Sequence, residues 1–202
     1  MKIAVLADGS QWQELAVATT NVEWIRCVSE EDFFKYDTDI YINVMENALM
    51  NDYTSISKTV LINSVTSTLK EINAPENILR INGWAGFLSR QNWEVAGSIN
   101  EEAKVFFSSI NKIYTTVPDE PGMIAARIIS MIINEAYFAL GEELSTKDEI
   151  DIAMKLGTNY PYGPFEWADK IGIKKIFQLL QKLSLEDKRY LPAPLLQKRT
   201  LL

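Results

Sequence analysis

Six short apolar runs within the first 117 residues limit what this chain can become. They are Lys2–Ala7 (KIAVLA), Val22–Val28, Asp39–Val44 (DIYINV), Thr59–Asn63 (TVLIN), Ile78–Asn82 (ILRIN) and Lys112–Val117. Each is too short for a helix, and runs this apolar without in–out alternation read as strands buried on both faces. Helical segments lie between some of them. Trp12–Ala18 is one, Glu101–Ile110 is another, and a third opens at Ser29 with Glu30, Glu31 and Asp32 in its first turn. Strands alternating with helices predict a mostly parallel sheet covered on both sides.

After Pro118 the pattern becomes wholly helical, so the expected domains are a Rossmann-like unit at 1–118 and an all-α unit at 119–202. Met123–Leu144 is apolar around most of a helix and needs burial on more than one side. Ser145 is placed to cap the next helix, with Asp148 three residues on. Asp151–Gly172 (DIAMKLGTNYPYGPFEWADKIG) reads as helix, tight loop and helix. Ile152, Met154 and Leu156 lie in or beside an apolar face, Gly157 is placed to end the first helix, and Pro164 to begin the second. Phe165, Trp167, Ala168 and Ile171 give that second helix its apolar side. Ile173–Leu183 is a further helix, and Leu191–Leu202 ends in a short one.

Charge and composition exclude several classes of function. The net charge is −7, with 9 basic against 15 acidic residues in 1–117 and 11 against 12 thereafter, so no basic face is expected to bind nucleic acid. No apolar run reaches the ~18 residues of a membrane span. MKIAVLADGS has too short an apolar segment before Asp8 for a signal peptide. One cysteine, Cys27, allows no internal disulfide, suits the cytoplasm and reads as a small buried hydrophobe. The chain contains no histidine, the commonest neutral-pH base and metal ligand, and no carboxylate cluster replaces it, so no metal site is expected.

The stretch 151–172, together with Pro121–Arg127 (PGMIAAR), Asn134-Glu135-Ala136 and Arg189–Leu196 (RYLPAPLL), resembles the C-terminal domain of the 3-hydroxyacyl-CoA dehydrogenases. Their pattern there runs D-x-A-M-(K/R)-x-G-x-x-x-P-M-G-P-(F/L)-x-x-x-D-x-(I/V)-G, with Tyr162 here in place of the methionine. DTDIYINVMEN resembles the family's (A/C)-D-x-V-I-E-A-x-x-E-N, although the front domain is shorter than the family's. The resemblance implies a Rossmann-like domain that binds NAD, a helical domain that pairs in a homodimer, and an acyl-CoA substrate. Lys58 is the nearest counterpart of the family's lysine near coenzyme A, with a solvated surface role as the plainer reading.

A dinucleotide loop needs G-x-G-x-x-G straight after the first strand, for the turn, the pyrophosphate approach and the helix packing. Here the six positions are Ala7, Asp8, Gly9, Ser10, Gln11 and Trp12. One glycine of the three is kept, Trp12 stands where the smallest residue belongs, and Asp8 sets a carboxylate beside the would-be pyrophosphate. The plain reading of Asp8-Gly9-Ser10 is a turn that caps a helix. Arg26, near the end of the second strand, is a weak pointer to a 2′-phosphate.

The family's reaction passes a hydride to NAD while a histidine, charged and oriented by a glutamate, takes the hydroxyl proton. The resemblance sets Asn82 at that histidine, Ala85 at the asparagine of H-F-F-N-P, and Glu94 at the glutamate twelve residues on. Val65 falls at the serine and Ala126 at the second asparagine. An amide is not a base at neutral pH, so Glu94 is kept without its partner or is simply a surface carboxylate at a strand end. Trp84 and Trp93 flank this region, and that they line a remaining cleft is one open reading. Arg127 and Glu135 match the family's helix and could form ion pairs. The expectation is therefore a non-catalytic relative that binds or scaffolds in acyl-CoA metabolism, without NAD. The alternatives are an active NAD-dependent enzyme with a rebuilt site and a structural dimer that takes no coenzyme.

Overall fold

The computed structural model describes residues 1–15, 22–46 and 48–201, and residues 16–18 of the first expected helix lie outside them. The chain forms two compact units, Met1–Met123 and Ile124–Leu202. In the first, the described residues form a seven-stranded sheet. Its strands are β1 (Lys2–Leu6), β2 (Glu23–Cys27), β3 (Ile40–Asn43), β4 (Thr59–Asn63), β5 (Ile78–Ile81), β6 (Asn92–Ala96) and β7 (Ile113–Thr116). Their order is β2-β1-β3-β4-β5-β6-β7, parallel except between β5 and β6. Helices α1 (Gly9–Leu15), α2 (Glu30–Lys35) and α3 (Glu101–Ser109) complete the unit.

Every residue of β3, β4 and β5 is buried, so no in–out alternation is visible in them. Ile3, Val5, Ile40, Ile42, Leu61, Leu79 and Ile81 form one core with Phe106 and Phe107 of α3. Ala4, Leu6, Tyr41, Val60, Ile62 and Ile78 form the other with Phe33 of α2. The outer strands differ: β2 exposes Glu23 and Arg26, and β7 exposes Ile113, Thr115 and Thr116. The sequence runs omit β6, because Asn92 and the half-buried Glu94 break its apolar pattern.

Arg80 alternates on β5 onto the face of Ile78 and is fully buried. Its guanidinium pairs with Asp119 and donates to the carbonyls of Ser64 (2.9 Å), Glu120 (3.1 Å) and Val65 (3.4 Å). Asp119 also accepts the Leu69 and Lys70 amides, at 3.0 and 3.2 Å. One buried cation thereby ties the loop after β4 to the segment after β7.

The second unit comprises α4 (Ala125–Gly141), α5 (Lys147–Thr158), α6 (Pro164–Ile171), α7 (Ile173–Ser184) and α8 (Pro194–Thr200). Helix α4 starts later and stops earlier than the apolar run Met123–Leu144. Gly122 and Met123 take positive φ (80° and 48°) before it, and Glu143 (57°) does so after it. The cap of α5 is Thr146 rather than Ser145, in a reciprocal capping box with Glu149 rather than Asp148. Gly157 lies inside α5, and the left-handed residue that ends the helix is Asn159 (φ 55°). Ile152 and Leu156 are exposed, at 52% and 83%, instead of facing a core.

The long motif has a structural cause. Asp151 of α5 accepts the amides of Phe165 (2.8 Å) and Glu166 (3.2 Å), the open donors of the first turn of α6. Gly163, the cap position of α6, is packed against that carboxylate: a Cβ there would lie 2.3 Å from Asp151 Oδ1. Glu166 accepts the Gly163 amide at 2.8 Å and pairs with Lys155. In α4, Asn134 bonds both ways to the later strand-like segment, donating to Leu191 O (2.9 Å) and accepting Ala193 N (2.8 Å).

Candidate functional site

Open parallel sheets take ligands outside the carboxyl ends of their strands, where neighbouring connections leave in opposite directions. Here that point lies between β1 and β3, because the chain passes from β1 to β2 on one side and then to β3 on the other. The residues after β1, β3, β4 and β5 converge there.

After β1 comes the remnant loop. Ala7 is buried, and Asp8, Gly9 and Ser10 are exposed. The Asp8 carboxylate accepts the Gln11 amide and the Ser10 hydroxyl, both at 2.8 Å, and so caps α1. The Gln11 side chain closes the box by accepting the Asp8 amide at 3.1 Å. Gln11 is also buried, and its Nε2 donates to Val44 O (2.5 Å), just past β3, and to Gly83 O (3.1 Å), just past β5. Trp12 is half-buried against the sheet core, with the Arg26 guanidinium 5.4 Å from its ring centre. Arg26 therefore stacks on an aromatic face at this position.

Asn63, the last residue of β4, donates to Val44 O at 3.3 Å and accepts the Gly83 amide at 3.0 Å. Gly83 must be glycine, since a Cβ there would lie 2.7 Å from Asn63 Cγ. Glu14 on α1 accepts the Gly86 amide at 2.7 Å. Asn82, at the position of the sought base, is 7% exposed and accepts the Trp84 amide at 3.1 Å through Oδ1. Its Nδ2 is buried without a hydrogen-bond partner among the described residues. Asn82 and Glu94 lie one step beyond the Ile81–Val95 pair of the antiparallel ladder, so the chain keeps their adjacency. Glu94 is half-buried and opposite Thr115 of β7.

The other positions are elsewhere. Val65 is buried in the loop after β4, and its carbonyl accepts the Gly122 amide at 2.8 Å. Ala126 is fully buried in α4, in the second unit. Ala85 is half-buried in the turn after β5. Lys58 pairs with Glu102 at 3.4 Å at the amino end of β4, the opposite edge of the sheet from the crevice. Trp93 belongs to the core, 6.0 and 6.4 Å from the Phe107 and Phe106 ring centres, and donates to Leu88 O, so it lines no cleft. Trp84 is buried to the same extent. Cys27 is buried, and desolvation pushes its thiol up to about 11, which keeps it protonated and unreactive at neutral pH.

The residues that meet in this crevice are thus Gln11, Glu14, Asn63, Asn82 and Gly83. Gln11, Glu14 and Asn63 escaped sequence reasoning, because their partners lie 19 to 72 residues away. The set offers amides engaged with backbone and the Glu14 carboxylate, whose Oε1 accepts the Gly86 amide while its Oε2 is buried without a hydrogen-bond partner among the described residues. The residues present do not fit a pyrophosphate: the amides at the start of α1 are met by Asp8, and the switch point by Gln11. Among the described residues no group of three or more His, Cys, Asp or Glu could hold a metal ion, and no helix is long and apolar enough to cross a membrane.

Residues 122–201 match the family described as 3-hydroxyacyl-CoA dehydrogenase, C-terminal domain. A 3-hydroxyadipyl-CoA dehydrogenase of Escherichia coli K12 is 39% identical over 107 residues, 52% of this chain and 22% of that protein. A 3-hydroxybutyryl-CoA dehydrogenase of Bradyrhizobium diazoefficiens is 40% identical over 100 residues, 48% of this chain and 34% of that one. This chain thus matches only a fifth to a third of the length of those relatives. The crystal structure of an (S)-3-hydroxybutyryl-CoA dehydrogenase from Ralstonia eutropha superposes with a TM-score of 0.72 at 19% identity, covering 99% of this chain and 93% of that one. That likeness is one of fold: a Rossmann-like sheet followed by a helical domain.

Proposed function

We propose that this chain, whose residues 122–201 match the C-terminal domain of the 3-hydroxyacyl-CoA dehydrogenases, is a non-catalytic member of that family that binds acyl-CoA or scaffolds its metabolism without NAD. The observation that carries the reading is Asn82. It stands where the family's proton acceptor belongs, its amide cannot take a proton at neutral pH, and no histidine exists anywhere in the chain to replace it. Loss of a general base alone costs about 10²–10⁴-fold in rate. Val65 and Ala126 supply no hydroxyl or amide in compensation. Glu94, kept beside Asn82, is the feature that favours the alternative of an active NAD-dependent enzyme with a rebuilt site.

The helical unit supports a homodimer. Helix α4 exposes Ile128 and α5 exposes Ile152 and Leu156, apolar side chains that a partner surface would cover. A cytoplasmic setting agrees with a single buried thiol.

The test is calorimetric titration with acetoacetyl-CoA, with and without NADH, alongside a turnover assay that follows NADH absorbance. The proposal expects heat from the thioester alone and no NADH consumption. Turnover would overturn it in favour of the rebuilt enzyme. Absence of thioester binding would leave a structural dimer that takes no coenzyme.

A further inference from the structure

We propose that Gln11 is a built-in occupant of the dinucleotide crevice, latching α1 to the turn at residues 82–86 and so closing the crevice to nicotinamide dinucleotides. The inference deepens the proposed non-catalytic function and rests on it for the meaning of a closed crevice, but it is tested on its own terms.

A primary amide has two N–H donors and one carbonyl oxygen. In Gln11 all three are used, each on a different segment: the oxygen on Asp8 after β1, and the N–H groups on Val44 after β3 and Gly83 after β5. Those segments are the walls and roof of the place where an open parallel sheet receives its ligand. Asn63 doubles the bridge from β4, bonding Val44 and Gly83 from below. Glu14, three residues after Gln11 and therefore on the same side of α1, takes the Gly86 amide. The turn is consequently held at both ends by one helix face. The turn also packs closely on the Asn63 side chain, since a Cβ at Gly83 would lie within 3 Å of it.

The substitutions in the remnant loop have a common effect. A dinucleotide fingerprint keeps side chains out of the crevice by using glycine. Between the kept Gly9 and Trp12 the fingerprint leaves two positions open to any residue, and here the second of them, Gln11, carries a side chain that reaches across the crevice, while Asp8 supplies the anion that a bound phosphate would otherwise supply. A nicotinamide dinucleotide could enter only by displacing Gln11, which would leave the buried Val44 and Gly83 carbonyls without that donor.

The experiment combines NADH titration with amide hydrogen exchange on three proteins: wild type, Gln11→Met, which conserves volume but removes the hydrogen bonds, and Gln11→Gly combined with Asp8→Gly, which removes both side chains. Wild type is expected to show no saturable NADH binding up to millimolar concentration. Gln11→Met is expected to raise exchange at the Asp8 amide, which loses its acceptor, at least tenfold, with the amides of β3 and β4 unchanged. Gln11→Gly combined with Asp8→Gly is expected to gain measurable NADH binding. Wild-type binding of NADH, or a Gln11→Met protein with unchanged Asp8 exchange, would overturn the latch whether or not the glycine variant folds. A wild type that binds acetoacetyl-CoA and also NADH loses the latch and keeps the acyl-CoA reading; one that binds neither keeps the latch and loses the acyl-CoA reading.

Discussion

A guanidinium with no exposure to water is costly unless every polar contact it gave up is replaced. Arg80 meets that condition with Asp119 and the carbonyls of Ser64, Val65 and Glu120. Replacing it with Met should therefore destabilise the first unit by about 3–5 kcal/mol, because an anion and buried carbonyls lose their donor together. Urea unfolding measures this. The pair also sets a pH dependence. Burial alone would raise the Asp119 carboxyl, but the amides of Leu69 and Lys70 and the Arg80 guanidinium outweigh it and hold the group below its ordinary range. A depressed folded pKa contributes stability above the unfolded value of about 4, and that contribution is lost as pH falls through the folded value. Asp119→Asn should be less stable than wild type at neutral pH and should lose less of its stability on acidification from pH 5 to pH 2, as thermal melts would show. At Asn82, restoring the base should not restore the reaction: Asn82→His is expected to leave NADH consumption at background, since Val65, Ala126 and the Gln11 contact are unchanged. Asn82 was legible at this scale because its type is wrong for proton transfer. Gln11 was not, because nothing in a glutamine announces partners 33 and 72 residues away.

Among the elements, α5 and α6 show most clearly what a sequence pattern encodes. The pattern from Asp151 to Gly172 is legible as helix, loop and helix, yet its fixed residues serve the joint between the helices. Asp151 is a cap supplied from a neighbouring helix, needed because Gly163 has no side chain to cap α6 itself. Asp151→Ala should cost the helical unit about 1–2 kcal/mol, the range for a lost cap. Gly163→Ala should cost at least as much, since its Cβ would meet the Asp151 carboxylate at 2.3 Å. Thermal melts of the two single variants and the double variant separate the effects, and Asp151→Ala should relieve part of the Gly163→Ala clash. The helix ends were less legible. Gly157 looks like a terminator, but glycine also fits a last helical turn, and Asn159 tolerates the left-handed conformation well enough to end the helix two residues on. Ser145 and Thr146 are both plausible caps by type, and the reach of Glu149 to the Thr146 amide decides between them.

For the whole molecule, the parallel core of the sheet could be read directly, because strands buried on both faces leave unbroken apolar runs. The antiparallel β6 could not, since Asn92 and Glu94 give it no such run. The outward apolar residues of the helical unit became apparent only when Ile152 and Leu156 proved exposed. Sedimentation velocity should find a dimer at micromolar concentration, and Ile128→Asp with Leu156→Asp should shift it toward monomer; a monomeric wild type would remove the homodimer from the proposal.

The Arg80–Asp119 bridge spans 39 residues of sequence, and a protein is synthesised in one direction. While β5 has emerged from the ribosome and residue 119 has not, the growing chain holds a cation that its core cannot accept without a counter-charge. The first five strands then have their apolar runs but not the condition for closing over them. Ribosome-arrested chains that expose residues 1–118 should accordingly be digested readily by a protease, and chains that expose residues 1–123 should resist. The sheet would then complete late and in a single step, timed by the arrival of one aspartate.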